Sequence, residues 1–230
     1  MKTLSILFIA AALCSAPALG AVVITSTSGY YNSDPYYGTE SGALPVMSST
    51  DLLQTSVASI ITGGNMGAET GMHVSALTDG IAATEHSALH TFGSNSFITY
   101  MLDLTSNPQG YDIGRIDIQS GWPDTGRVNL TTLVYFSTIA APDTFSHLGT
   151  ASFVLPGGTP NRPWITATFT DNSSAILASQ VAGLRFEFPS QQNSYVGYGE
   201  IDVLGVPEPS KTAFLGVFIS AVLMRRRRPN

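Results

Sequence analysis

The sequence predicts an all-β protein, and three observations support this prediction. The chain of 230 residues contains 22 glycines and 13 prolines but only 11% charged residues, a composition that favours turns and strands over long helices. Its middle part consists of short apolar runs that are separated by turn residues. The hydrophobic content of 43% is sufficient for one sizeable core. We therefore expect one β-sandwich, residues 21–205, between two terminal segments of different character.

The first 20 residues have the order of a secretory signal peptide. Lys2 provides a short positive start, and an apolar run over residues 4–13 follows it. Small residues then precede a mature start near Ala21, with cleavage after Ala18 as the alternative. A retained membrane helix would need an apolar run of about twenty residues. The single cysteine, Cys14, lies in this segment, so the mature domain should contain no disulfide.

Eight runs are predicted to be strands because β-branched and aromatic residues dominate them. In chain order they cover residues 21–26, 96–104, 114–120, 129–138, 149–155, 164–170, 183–188 and 199–204. Residues 115–118 and 184–188 alternate between polar and apolar types, so each run should have one wet and one buried face. Turn sequences at residues 122–126 and 156–158 separate strands, and residues 57–68 are predicted to form a short helix.

The charge distribution excludes one class of partner. All 16 acidic residues lie between Ala21 and Pro209, where only four arginines accompany them, so this span has a net charge of −12. A surface of that charge repels nucleic acid and anionic lipid. We therefore expect no nucleic-acid partner.

The C-terminal segment, residues 206–230, has three parts in a fixed order. Pro207, Glu208 and Pro209 come first, an apolar run over residues 213–224 follows, and four consecutive arginines end it. This tail resembles the PEP-CTERM sorting signal of Gram-negative bacteria. The resemblance implies that an exosortase, a membrane cysteine protease, cuts near the Pro-Glu-Pro motif.

The same tail indicates where the protein would be located. The arginines should stay in the cytoplasm by the positive-inside rule, while a helix over about residues 212–224 holds the chain in the inner membrane. The domain would then lie outside the cytoplasm, at the cell surface or in the extracellular matrix after processing. Signal peptidase and the exosortase are the expected processing partners. An ordinary single-pass anchor is the alternative interpretation of the tail.

Four further segments follow one another in a recognisable succession. They are Leu-Thr-Asp-Gly at residues 77–80, the run at 98–104, the run at 111–118 and Glu-Ile-Asp-Val-Leu-Gly at 200–205. Together they resemble the discoidin or coagulation-factor C-type domain, a galactose-binding-like jelly roll. The resemblance covers about residues 71–205. It implies a jelly-roll β-sandwich that binds a ligand through loops at one end.

The resemblance also implies a structural calcium ion. Asp79 and Glu200 would supply carboxylates, Thr84 a hydroxyl or carbonyl oxygen, and Leu77 a backbone oxygen. Calcium takes six to eight oxygen ligands, which a turn and a terminal strand can provide without cysteine or histidine. The alternative is a plain turn that Asp79 stabilises without an ion.

Four side chains in or beside predicted loops are the candidates for ligand binding: Trp122, Arg127, Trp164 and Tyr195. An aromatic ring can lie against the C–H face of a sugar while Arg127 or Asn193 hydrogen-bonds its hydroxyls. Two alternatives stay open. The aromatic rings could cover the core instead, and Arg127 could pair with Asp124.

The sequence favours a protein without catalytic activity. His86 and His90 follow Glu85, but the His-Glu-x-x-His order of zinc proteases is absent, so we expect exposed turn histidines. The leading hypothesis is a surface or matrix protein that binds carbohydrate or another extracellular polymer. One alternative is a purely structural component of the exopolysaccharide layer without a ligand site. Another is a polysaccharide hydrolase with two facing acids, which 16 acidic residues leave open.

Overall fold

The computed structural model describes residues 21–31, 43–62, 73–158 and 162–206, and their regular structure consists of strands and short 3-10 turns. The signal segment, the motif of Pro207, Glu208 and Pro209, and the expected membrane helix lie outside these residues. The described strands are β1 (Val22–Tyr30), β2 (Ile60–Thr62), β3 (His90–Gly93), β4 (Ser96–Met101), β5 (Tyr111–Gly121), β6 (Leu130–Thr138), β7 (Ala141–Phe153), β8 (Pro163–Asp171), β9 (Ala178–Phe188) and β10 (Tyr195–Gly205).

These strands form two antiparallel sheets that are joined at one corner. Sheet one has the strand order β1-β8-β5-β10-β3, and sheet two has the order β2-β4-β9-β6-β7. The corner is the start of β5, where Tyr111 pairs with Val181 and Ile113 with Ala178 of β9. Strand β5 then continues between β8 and β10, which separates the two sheets.

The core lies between the sheets. The Phe92 ring of sheet one stacks on the Phe188 ring of sheet two with centroids 3.9 Å apart, and Tyr198 contacts both rings. All three side chains are fully buried. Burial of each large apolar side chain contributes about 1.5–3 kcal/mol. Two sheets with one shared core confirm the predicted all-β sandwich.

The predicted alternation in β9 is confirmed. Leu184, Phe186 and Phe188 are buried in the core, while Arg185 and Glu187 lie on the opposite, partly exposed face. The predicted alternation in β5 is confirmed for the buried Ile116 and Ile118 but not for the opposite face, because Asp117 on that outward face is also buried. There it accepts a hydrogen bond from the Thr168 hydroxyl at 2.5 Å and contacts Arg115 at 2.7 Å.

Three details of local structure differ from the sequence predictions. The predicted helix over residues 57–68 is not formed where the structure describes it, because Ile60–Thr62 pairs with β4 as strand β2; residues 63–68 lie outside the described part. Strand β3 was not predicted, since His90–Gly93 is too short to show an alternating pattern. The strand predicted at residues 149–155 is longer and is β7, because a hairpin pairs Ala141 with Thr138.

A covering segment defines the outer face of sheet one. The Leu52 N–H donates to the Val203 carbonyl at 2.8 Å, and the Ser48 N–H donates to the Asp202 carboxylate at 2.6 Å. The Gln119 amide bonds both backbone groups of Ala83. Residues 48–52 and the segment around Ala83 therefore cover the outward side chains of β5 and β10. In the described parts of the chain, no helix has the length and hydropathy to cross a bilayer.

Candidate functional site

The structure brings together Asp79 and Glu200, the two carboxylates of the expected calcium site. Glu200 lies on the outward face of β10 and is 0% exposed. Its Oε2 accepts the N–H groups of Gly80 at 2.6 Å and Ile81 at 3.0 Å. The Asp79 Oδ1 accepts the Ile81 N–H at 2.9 Å, which is the Asx turn that the alternative interpretation requires. The turn therefore forms directly over the Glu200 carboxylate.

Gly80 is required at the centre of this turn. Its φ of +79° lies in the left-handed region that glycine adopts without steric cost. A Cβ at this position would lie 3.0 Å from the Ser48 carbonyl oxygen and 3.2 Å from Gln54 Oε1. These close approaches show that the covering segment, the turn and Glu200 form one cluster.

The electrostatics of this cluster are unfavourable to ionised acids. The pKa of Glu200 is raised to about 8, mainly by burial and also by the neighbouring Asp202 and Asp79 carboxylates, while the hydrogen bonds from Ile81 and Gly80 act in the opposite direction. Burial likewise raises the pKa of Asp202 to about 6. A bound cation or a bound proton would reduce the electrostatic repulsion between these buried carboxylates.

Five buried oxygens of the covering segments and of strand β10 lack a hydrogen-bond partner among the described residues. They are Asp51 Oδ2, Gln54 Oε1, Thr84 Oγ1, Glu200 Oε1 and Asp202 Oδ1. An all-oxygen donor set of this kind suits a hard cation such as Ca²⁺. The described residues hold no group of three His, Cys, Asp or Glu side chains placed for a metal ion, so amide, hydroxyl and backbone oxygens would have to complete the coordination.

A second candidate site lies at the loop end, by which we mean the loop of residues 122–129 and the 3-10 turn Gln192–Ser194. Here the prediction that Trp122 is a binding platform is wrong, because the ring is only 2% exposed and belongs to the core. The Arg127 guanidinium lies over this ring at 5.5 Å from its centroid. Trp122 therefore supports Arg127 from below, a cation–π arrangement.

Side chains of the 3-10 turn hold the loop in place. The Gln192 Oε1 accepts the N–H groups of Val128 and Asn129, and its Nε2 donates to the Thr125 carbonyl. Asn193 donates to the Gly126 carbonyl at 2.8 Å, so it holds the loop and this amide nitrogen already has a partner. The sequence alone gave no signal for this role, since the two segments are more than sixty residues apart.

Tyr195 and Arg127 both lie at this end of the sandwich, whereas Trp164 lies elsewhere. Tyr195 is half-buried against Gly93 of the neighbouring strand, and the Arg127 carbonyl accepts the N–H of Gly197, two residues further along β10. Trp164 lies on the outward face of β8, where its ring covers Gly29 and its indole N–H donates to the Ala43 carbonyl at 3.1 Å. The four predicted ligand residues therefore do not form one platform.

The prediction that His90 is an exposed turn residue is also wrong. It lies in β3, is 6% exposed, and contacts the Phe92 ring edge-on at 4.7 Å. Neither ring nitrogen has a hydrogen-bond partner among the described residues. Burial lowers the pKa of this imidazole to about 4, so the residue is neutral at physiological pH.

Some solved structures are similar to this chain, but no family is identified for it. No family model and no curated protein matches the chain. Similar solved structures include the lectin-binding domain of lectinolysin with Lewis b, which is 11% identical with a TM-score of 0.44, covering 70% of this chain and 99% of that one. A chitosan-binding module from Paenibacillus sp. IK-5 is 15% identical, with a TM-score of 0.41 and coverage of 68% and 99%.

A third such structure is the family 32 carbohydrate-binding module of NanJ from C. perfringens in complex with galactose. It is 9% identical with a TM-score of 0.41, and the match covers 62% of this chain and 92% of that one. Identities this low assign no binding residue to the present chain.

Proposed function

We propose that this chain is an exported surface or matrix protein whose β-sandwich, a jelly roll of the galactose-binding-like class, binds carbohydrate without catalysing a reaction. The observation that carries the binding proposal is the placement of Arg127 on the buried Trp122 ring at the loop end. A guanidinium that is held in this way loses little conformational entropy when it binds a hydroxyl or carboxylate. Tyr195 supplies an aromatic surface at the same end of the sandwich.

The loop end suits a small saccharide unit. Its loop is fixed by Gln192 and Asn193 rather than by a ligand, so the site is organised before binding. Arg127 is half-buried, so a ligand oxygen would bond the terminal N–H groups of its guanidinium rather than the buried Nε. A sugar would stack on the half-buried Tyr195 and accept from Arg127.

A glycan array followed by calorimetry tests this proposal. The full chain should retain one class of oligosaccharide, and Arg127→Gln and Tyr195→Ala should each weaken that binding roughly tenfold. Arg115→Gln removes an equal charge from an exposed position on β5, so it serves as the matched control. An array without any retained glycan favours the purely structural alternative, and turnover of a bound polysaccharide favours the hydrolase.

The turn over Glu200 would hold a structural Ca²⁺. Asp79 and Glu200 would supply carboxylate oxygens, Leu77 a backbone oxygen, and Thr84 and Gln54 side-chain oxygens, which have no other partner among the described residues. When bound, the ion would neutralise the buried acids and hold the covering segment onto sheet one. Its role would be structural rather than catalytic.

Export and sorting form a separate part of the proposal. The signal segment directs the chain across the inner membrane, and an exosortase recognises Pro207, Glu208 and Pro209, the first part of the PEP-CTERM tail. Mass spectrometry of the surface-associated protein should find a mature start near Ala21 and an end near this motif. Replacing all three motif residues by alanine should leave the chain uncut in the inner membrane. Equal release of both forms would identify the tail as an ordinary anchor.

A further inference from the structure

The two sheets differ in how their outer faces are covered. On sheet one, the outward side chains of Asp117, Gln119 and Asp202 are at most 5% exposed, because the covering segments lie over them. On sheet two, Ile60 is 48% and Met101 43% exposed, and the Arg185 and Glu187 side chains are 26% and 34% exposed. The outer face of sheet two therefore remains accessible in the described protein.

One row of side chains crosses all five strands on this face. Strand pairing places Ile60 beside Thr99, Thr99 beside Arg185, Arg185 beside Tyr135, and Tyr135 beside His147. With strands about 4.8 Å apart, this row spans about 19 Å. We call six side chains on and next to this row the Arg185 strip: Phe97, Tyr135, Phe145, His147, Arg185 and Glu187.

The Arg185 guanidinium is clamped at the centre of the strip. Its Cζ lies 4.8 Å from the Phe97 ring centroid and 4.4 Å from that of Phe145. The Nε donates to the Thr99 hydroxyl at 3.2 Å, which uses one of the five N–H groups of the guanidinium. Aromatic contacts and one hydrogen bond therefore fix the plane of the guanidinium, so that little rotamer entropy remains to be lost on binding.

A carboxylate lies beside this cation without bonding it closely. The distance between Arg185 Nη1 and Glu187 Oε1 is 3.9 Å, whereas a tight charged hydrogen bond is about 2.8 Å long. The Glu187 carboxylate also hydrogen-bonds the Tyr135 side chain, and its remaining lone pairs and the Arg185 Nη N–H groups keep hydrogen-bonding capacity for a ligand. Donors and acceptors side by side, between aromatic rings, match the hydroxyl groups and the C–H faces of a sugar.

The charge and the length of the Arg185 strip indicate which kind of carbohydrate it would bind. The strip contains one guanidinium, one carboxylate and one imidazole, so it is close to neutral within a span of net charge −12. An anionic polymer would be repelled by the remaining surface. The row runs across the whole width of a sheet face and ends at the edge strands β2 and β7, which suits a long chain rather than a single sugar.

We propose that the Arg185 strip is a second binding surface, distinct from the loop end, that takes an extended neutral polysaccharide lying across the strands of sheet two. The Phe145, Tyr135 and His147 rings contact the sugar faces, and Arg185 and Glu187 bond the hydroxyls. The proposal shares only the ligand class with the function proposed above. An experiment can therefore contradict one proposed binding surface without contradicting the other.

Calorimetry of the full chain in a detergent without sugar groups tests the strip, with galactomannan and mixed-linkage β-glucan as probes. Arg185→Gln and Phe145→Ala should each weaken binding of a neutral polymer roughly tenfold. Because Phe145 lies in the exposed half of β7, its replacement should leave folding intact, which near-UV circular dichroism checks. Arg162→Gln removes an equal charge outside the strip and should change nothing.

The Arg127→Gln variant distinguishes binding at the strip from binding at the loop end, because this substitution should weaken binding only at the loop end. Polymer binding that survives Arg127→Gln and is lost on adding Arg185→Gln supports the strip, whatever the glycan array shows for the loop end. Polymer binding that is unchanged in both strip variants overturns the proposal. Tighter binding of alginate, an anionic polymer, than of either neutral polymer also overturns it, as does the absence of any neutral-polymer binding.

Discussion

The carboxylate of Glu200 in β10 accepts a hydrogen bond from the backbone N–H of Gly80, which lies 120 residues earlier in the chain. This bond joins the last strand of the sandwich to the turn that carries Asp79. It also buries an acid whose second oxygen has no partner among the described residues. The relationship is the basis for two predictions, one about calcium and one about pH.

Calcium should stabilise the protein through Glu200. At a Ca²⁺ concentration about a hundred times the dissociation constant, the gain in unfolding free energy should be about 2.7 kcal/mol, seen as a higher Tm in scanning calorimetry. Glu200→Gln and Asp79→Asn should abolish this gain. Glu187→Gln removes a glutamate from the other sheet and should keep it. A gain of equal size in all four proteins would place the ion elsewhere.

Without calcium, the stability contributed by Glu200 should fall as pH rises. Its pKa is raised to about 8 in the folded protein from 4.5, so the folded state binds more protons than the unfolded state between these values. The unfolding free energy of wild type relative to Glu200→Gln should therefore decrease from pH 5 to pH 8. Urea unfolding in chelator at several pH values measures this difference, and a difference that rises with pH contradicts the prediction.

His90 should act in the opposite direction at acid pH. Its pKa is lowered to about 4 in the folded protein from 6.5, so its contribution is fully present above pH 6.5 and is lost as pH falls through 4. Relative to His90→Phe, which cannot titrate, wild type should lose up to about 3 kcal/mol over this range. Acid unfolding followed by circular dichroism compares the two, and parallel curves would show that the imidazole is solvated.

The contact between Phe92 and Phe188 should be a main element of stability. Phe188→Ala removes a ring that packs against both Phe92 and Tyr198, and should cost about 3–5 kcal/mol of unfolding free energy in urea. Val154→Ala changes an apolar residue that is 75% exposed and should cost less than about 0.5 kcal/mol. Equal costs would mean that the two sheets do not share this core.

The two tryptophans should differ in fluorescence. Trp164→Phe leaves only the buried Trp122, whose emission should be blue-shifted and resistant to acrylamide quenching. Trp122→Phe leaves only the half-buried Trp164, which should be quenched more readily. Equal quenching in the two variants would contradict the core placement of Trp122.

The sequence was sufficient for the fold class and for most strands because these depend on local patterns. Alternation over residues 184–188 indicated which side chains are buried, and turn residues marked most boundaries. It failed for residues 60–62, whose strand forms only because β4 offers a pairing edge. Local propensity cannot anticipate a partner strand that lies about forty residues away.

The candidate sites were predictable only in part. Asp79 and Glu200 were chosen through a family resemblance, and the fold places them in one cluster. Trp122 was misplaced because a tryptophan next to a loop can face either the solvent or the core. The Arg185 strip had no sequence signal beyond alternation, since its residues come from β4, β6, β7 and β9.

By itself, the sequence determined the chemical character of the segments: two terminal segments typical of export and sorting, an acidic middle, and strands with one apolar face. Only the tertiary structure decided which polar faces are covered and which are open. The reason is that strand pairing sets side chains from distant segments at neighbouring positions, as it does for Arg185 and Tyr135. Burial, pKa and accessibility all follow from that placement rather than from neighbours along the chain.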